Sequence, residues 1–77
     1  MSTVELAVGI LTVAIEYDAN NNPIFIGYCE TNGLKSEPVW RVRKLTFDAN
    51  NNLTNIQTSA GSGFTEIWNN RASLTYN

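Results

Sequence analysis

The residues able to do chemistry in this 77-residue chain are few. Trp40-Arg41-Val42-Arg43-Lys44 gathers three of the five basic residues beside an indole. On an extended strand, alternation puts Arg41 and Arg43 on one face. Two guanidinium groups beside an aromatic ring are the components of a single-stranded nucleic-acid site, and a further aromatic platform on that face would strengthen such a reading. The net charge of −2 points the other way, because it gives no general attraction for a polyanion. A solvated face, or salt bridges to another subunit, is the preferred reading of the cluster.

Asp18-Ala19-Asn20-Asn21-Asn22 and Asp48-Ala49-Asn50-Asn51-Asn52 set side-chain oxygens at alternate positions, as the start of a calcium loop does. Such a loop needs glycine at its sixth position and glutamate at its twelfth. Pro23 and Leu53 stand at the sixth, Cys29 and Ser59 at the twelfth, so both copies read as turns. Cys29 is the sole thiol and the chain has no histidine. That leaves no activated nucleophile, no zinc ligand set and no intrachain disulfide, and a buried, inert thiol is expected. The seven acids are scattered, so no acid–base pair suggests itself. Neither enzymatic activity, nor a cofactor, nor a metal is expected. Asn52-Leu53-Thr54 fits a glycosylation sequon and is read as a chance match.

The elements that must position these residues are short. Residues 1–77 make a single domain, small enough to bury only about 60% of its unfolded surface. With no disulfide or metal staple, a homo-oligomer is the expected source of added stability. The most apolar run, residues 6–15, is too short to span a bilayer, and no basic leader precedes it. A cytosolic origin and no membrane partner are expected.

Residues 1–9 are read as a strand, with Val4, Leu6 and Val8 alternating. Residues 10–17 form the cleanest strand, whose period of two assigns Leu11, Val13, Ile15 and Tyr17 to the core. Residues 18–22 turn the chain, and residues 24–29 return after Pro23. Residues 30–38 form a loop containing Asn32-Gly33. Residues 39–47 make a long strand in which Trp40 and Val42 share one face, Leu45 and Phe47 the other. The change of phase at Arg43-Lys44 suggests a β-bulge, or a strand lying between two packed surfaces. Residues 53–58 pair back with it. Phe64, Ile67 and Trp68 fall at helical spacing after a capping Thr65, which predicts one helical turn near 65–71. Residues 72–76 then close the chain as a strand with Leu74 and Tyr76 inward. The fold class is all-β, an antiparallel sheet or small barrel with a hairpin repeat over residues 11–29 and 39–58.

Trp40-Arg41-Val42-Arg43-Lys44, the Phe47-Asp48 turn and Trp68-Asn69-Asn70-Arg71-Ala72-Ser73-Leu74-Thr75-Tyr76 together resemble a family of small, β-rich proteins associated with tailed-bacteriophage virions. The resemblance spans residues 15–76, and its C-terminal motif is the most specific part. Family members carry a glycine in each Asn-rich turn and Ala-Asp-Gly before the last segment. This chain has Asn22, Asn52 and Ala60-Gly61 there. The resemblance implies a structural role in the virion, as a capsid decoration, neck, tail or fibre-attachment component contacting other virion proteins. It carries no catalytic residue. The alternative is a soluble module that engages a host protein or a single-stranded nucleic acid, though nucleic acid is disfavoured by the charge. Trp40 and Trp68 are read as core residues whose exposure would mark them as interface anchors. With Arg41, Arg43, Arg71, Leu74 and Tyr76 they make up the candidate interface. Arg71, three residues beyond Trp68, can lie across its ring or reach a carboxylate.

Overall fold

A computed structural model describes residues 12–30, 32–61 and 63–77. The strand expected over residues 1–9 lies outside them, as does Leu11. The described chain runs β1 Thr12–Tyr17, β2 Pro23–Cys29, β3 Pro38–Phe47, β4 Leu53–Thr58 and β5 Glu66–Ile67, then a 3-10 helix Trp68–Ser73. The first four strands form one antiparallel meander in the order β1-β2-β3-β4, and β5 pairs with β3. The all-β fold of two hairpins is therefore the one expected.

Both hairpins close by the same device. Asp18 Oδ1 accepts the Asn20 and Asn22 amides at 2.8 and 2.9 Å, and Asp48 Oδ1 accepts those of Asn50 and Asn52 at the same distances. Asn21 and Asn51 each adopt φ of 64°. Asparagine tolerates this left-handed conformation better than other non-glycine residues, which is why the turns form without glycine. The two tips also meet: Asn22 Nδ2 donates to Asn51 Oδ1 at 2.9 Å.

Directly opposed residues of an antiparallel pair share a face, so the registers divide the sheet into two surfaces. Ala14 opposes Gly27, Gly27 opposes Val42 and Cys29 opposes Trp40. These residues lie under the C-terminal segment. The buried core is Ala14, Cys29, Trp40, Val42 and Trp68, with Phe25, Leu74 and Tyr76 packed against it. The face assigned to the core of β1 is thus the wrong one. Ala14 is buried, Val13 and Ile15 are half-buried, and Tyr17 is 48% exposed. The reason is steric. Two indoles packed at a tilt, Trp40 and Trp68, with ring centroids 5.9 Å apart, need small residues beneath them. Ala14 and Gly27 supply that room, while the bulkier alternate positions face away.

β3 changes its buried face without breaking register at Arg43-Lys44. Its pairing is regular there on both edges, and the shifts fall between Pro38 and Trp40 and between Thr46 and Phe47. No bulge is therefore needed at the phase change. One end of the strand is covered by the C-terminal segment, and the other end carries half-buried Leu45 and Phe47 on the opposite surface. β4 and β5 occupy successive lengths of the same β3 edge. In the gap between them, Val42 N–H donates to Ser59 Oγ at 3.2 Å, and Ser59 N–H donates to Val42 O at 2.8 Å. Ser59 is buried and fully engaged there.

The last segment differs in detail from expectation. Glu66 and Ile67 extend along β3 rather than opening a helix, and the 3-10 turn begins at Trp68. Its N-cap is Ile67, with no side-chain cap, so Thr65 does not serve. Ala72 and Ser73 belong to the 3-10 helix, and the closing strand shrinks to a single bridge between Tyr76 and Ser59. The Ala60 N–H to Thr75 O and Asn77 N–H to Thr58 O bonds, 2.8 and 3.0 Å, hold that end in place.

Candidate binding face of the sheet

The surface opposite the core is the candidate site. Ile15 opposes Ile26, Val13 opposes Tyr28, Tyr28 opposes Arg41, Ile26 opposes Arg43, and Leu45 opposes Ile56. All these side chains share the open face. No described helix or strand packs across it. Towards the Asn-rich turns it is aliphatic: Ile15, Ile26 and Leu45 are half-buried and Ile56 is 53% exposed. Towards the other end it is cationic and aromatic.

At that end Tyr28, Arg41, Arg43 and Phe64 line one hollow of about 490 Å³. Arg43 lies over the Tyr28 ring, its Cζ 5.7 Å from the centroid. Arg71–Glu16 is the only ion pair among the described residues, so neither Arg41 nor Arg43 has a carboxylate partner there. Four of the seven acids have partners elsewhere. Asp18 and Asp48 bind turn amides, Glu37 accepts the Leu34 amide and Glu16 holds Arg71. For Asp48 the Asn52 amide foremost, with the Asn50 amide and the Asn52 side chain, lowers the carboxyl pKa, against a smaller opposing effect of desolvation.

The remaining candidate residues have other duties. Trp40 and Trp68 are 1% and 4% exposed, so both are core and neither is free to anchor an interface. Trp40 Nε1 donates to Leu34 O at 3.0 Å, which ties the loop before β3 to the core. Arg71 does both things its position allows. Its Cζ stands 4.6 Å over the Trp68 ring and its Nε donates to Glu16 Oε1 at 2.7 Å. Leu74 and Tyr76 are half-buried against the core. Tyr76 O–H donates to Arg71 O at 2.7 Å, and Lys44 Nζ lies 5.8 Å from the Tyr76 ring centroid. Burial first, then the charge of Glu66, pushes the Tyr76 phenol up to about 12, against the opposing pull of Arg71.

Of the predicted interface residues, the fold gathers only Arg41 and Arg43 on the open face. Trp40, Trp68, Arg71, Leu74 and Tyr76 collect on the covered one. Tyr28 and Phe64 are the site residues that sequence reasoning missed. Tyr28 becomes visible only once the β2–β3 register is known, because an eight-residue connection separates the two strands. Phe64 falls at helical spacing with Ile67 and Trp68, but the helix begins only at Trp68. No family model, no curated protein and no solved structure matches this chain.

Proposed function

We propose that this chain is a small structural component of a tailed-phage particle, working by protein–protein contact and catalysing no reaction. The observation that carries the reading is the aliphatic part of the open face. Ile15 and Ile26 are cross-strand neighbours, Leu45 lies diagonal to Ile26, and Ile56 opposes Leu45. A half-exposed apolar patch, most open at Ile56, is a contact surface in waiting on a domain this small. The resemblance of residues 15–76 to virion-associated proteins supplies the setting.

The occupant is a different virion protein presenting an apolar surface of its own. A second copy covering the whole face would set Arg41 and Arg43 either on their own counterparts, where like charges repel, or on the aliphatic patch, where the guanidinium groups lose hydration. Self-association belongs instead to the outer edge of β4, whose first four residues are exposed and whose backbone is met on that side, among the described residues, only at Thr58, by Asn77.

The test is a mass-spectrometric inventory of purified particles. The wild-type chain is expected among the virion proteins, and Ile56→Asp, which spares the core, is expected to fold yet be missing. Particles without the wild-type chain overturn the reading. Sedimentation of both chains separates the occupants. A wild-type oligomer that Ile56→Asp dissolves would make the partner a second copy.

A further inference from the structure

We propose that the hollow between Tyr28, Arg41, Arg43 and Phe64 is a binding site for a nucleotide unit, a planar base carrying a phosphate. The inference is independent of the virion reading. It rests on the part of the open face next to the aliphatic patch, where Arg43 opposes Ile26.

Four observations converge. The hollow, about 490 Å³, is shallow and open to solvent, which suits a ligand laid across the sheet rather than one enclosed by it. Two of its four lining side chains are guanidinium groups without a carboxylate among the described residues. Arginine without such a partner is well suited to phosphate, which it can grip with two parallel N–H bonds. The other two lining side chains are aromatic, one from β2 and one from the segment before β5. They give a base a π-surface on either side of the cationic strand. Finally, the net charge of −2 misdescribes this surface. Glu16, Asp18, Glu37 and Asp48, four of the seven acids, are bonded to Arg71 and to backbone amides elsewhere, so none of these four neutralises Arg41 or Arg43.

The chemistry selects against a plain carboxylate. An acidic side chain would satisfy one guanidinium and leave both rings uncovered. A base with its phosphate engages rings and cations together. It replaces the Arg43–Tyr28 contact, 5.7 Å from Cζ to centroid, with a ring on Tyr28 and an anion on Arg43.

The experiment titrates the full chain into fluorescein-labelled dT12 and dA12 at 20 mM salt, with AMP and poly-glutamate as competitors. Saturable binding is expected, with a log–log salt slope of about −1.4 for two phosphates on a single strand. Arg41→Ala and Arg43→Ala should each weaken it at least tenfold, and Tyr28→Leu and Phe64→Leu about tenfold. Lys35→Ala, which removes a positive charge away from the hollow, should change it less than twofold. Each variant's fold is checked by tryptophan emission and its urea midpoint. Competition by AMP assigns the site to free nucleotides, and failure of AMP beside tight oligonucleotide binding assigns it to single strands. Absence of binding by every probe overturns the proposal. So does poly-glutamate competing as well as the oligonucleotide, or Lys35→Ala costing as much as Arg41→Ala.

Discussion

A Cβ at Gly27 would stand 2.5 Å from Cε3 of Trp68 and 2.7 Å from Cζ3. No real carbon pair sits so close, so the indole occupies space that only glycine leaves open. This single contact decides which face of the sheet is the core. Trp68 lies on Gly27 and beside Trp40, and Arg71 lies over Trp68.

Gly27→Ala should therefore be costly although its backbone conformation is one any residue adopts. The added methyl pushes Trp68 off its seat, and overpacking of this kind costs about 1–3 kcal/mol. The check is a urea titration followed by tryptophan emission. The midpoint should fall, and the native emission should shift to the red as the indole meets water. An unchanged midpoint would mean that Trp68 does not rest on β2.

The turn asparagines should behave unequally. Asn21 and Asn51 share a φ of 64°, so Ala at either site is strained by about 1 kcal/mol. Asn51 also accepts the Asn22 side-chain amide, and Asn21 has no such bond to the other turn. Asn51→Ala should thus cost a few tenths of a kcal/mol more than Asn21→Ala. Glycine relieves the strain at both sites but does not replace the bond that Asn51 accepts. Thermal midpoints of the four single variants give the comparison.

The turns were legible because their cause is local: Asp closes onto amides two and four residues on, and Asn accepts positive φ. The strands were legible for a similar reason. What could not be read was the side on which the core would form. In β1 the larger apolar residues Val13, Ile15 and Tyr17 form the more hydrophobic stripe, and that stripe faces outward. The core side is marked by the small residues Ala14 and Gly27, and their smallness has meaning only once Trp68, some forty residues on, is known to land there. The same displacement moved the candidate site. Arg41 and Arg43 could be paired by alternation within one strand, whereas Tyr28 and Phe64 reach them only through the β2–β3 register and the path of the last loop.

Glu16 and Arg71 tie the first strand to the last turn across 55 positions of sequence. Their side chains are 39% and 25% exposed, so solvent screens the pair and its net value is at most about 1 kcal/mol. A double-mutant cycle of Glu16→Gln and Arg71→Gln should return a coupling of about 0.5–1 kcal/mol that shrinks in 0.5 M salt. Arg71→Lys should keep part of the charge term and lose the stacking on Trp68, visible as a change in tryptophan emission. A coupling of zero would leave the stacking on Trp68 and the Nη1 bond to the Trp68 carbonyl as the reasons for arginine at this position.

Tyr76 sets an alkaline limit. Its phenol is raised to about 12 in the folded chain, above the ordinary tyrosine value of about 10. A group whose folded value is raised holds its proton more tightly when folded. Its contribution is complete below pH about 10 and is lost as pH climbs from there through about 12. Unfolding midpoints measured from pH 8 to 12 should decline over that window, and absorbance at 295 nm should show one late-titrating phenol. Tyr76→Phe removes the O–H bond to the Arg71 carbonyl, so it starts lower at pH 8, and its late absorbance step is missing. Its midpoint should decline less steeply above pH 10 than that of the wild type. Parallel curves for the two proteins would show that the alkaline loss arises at another group.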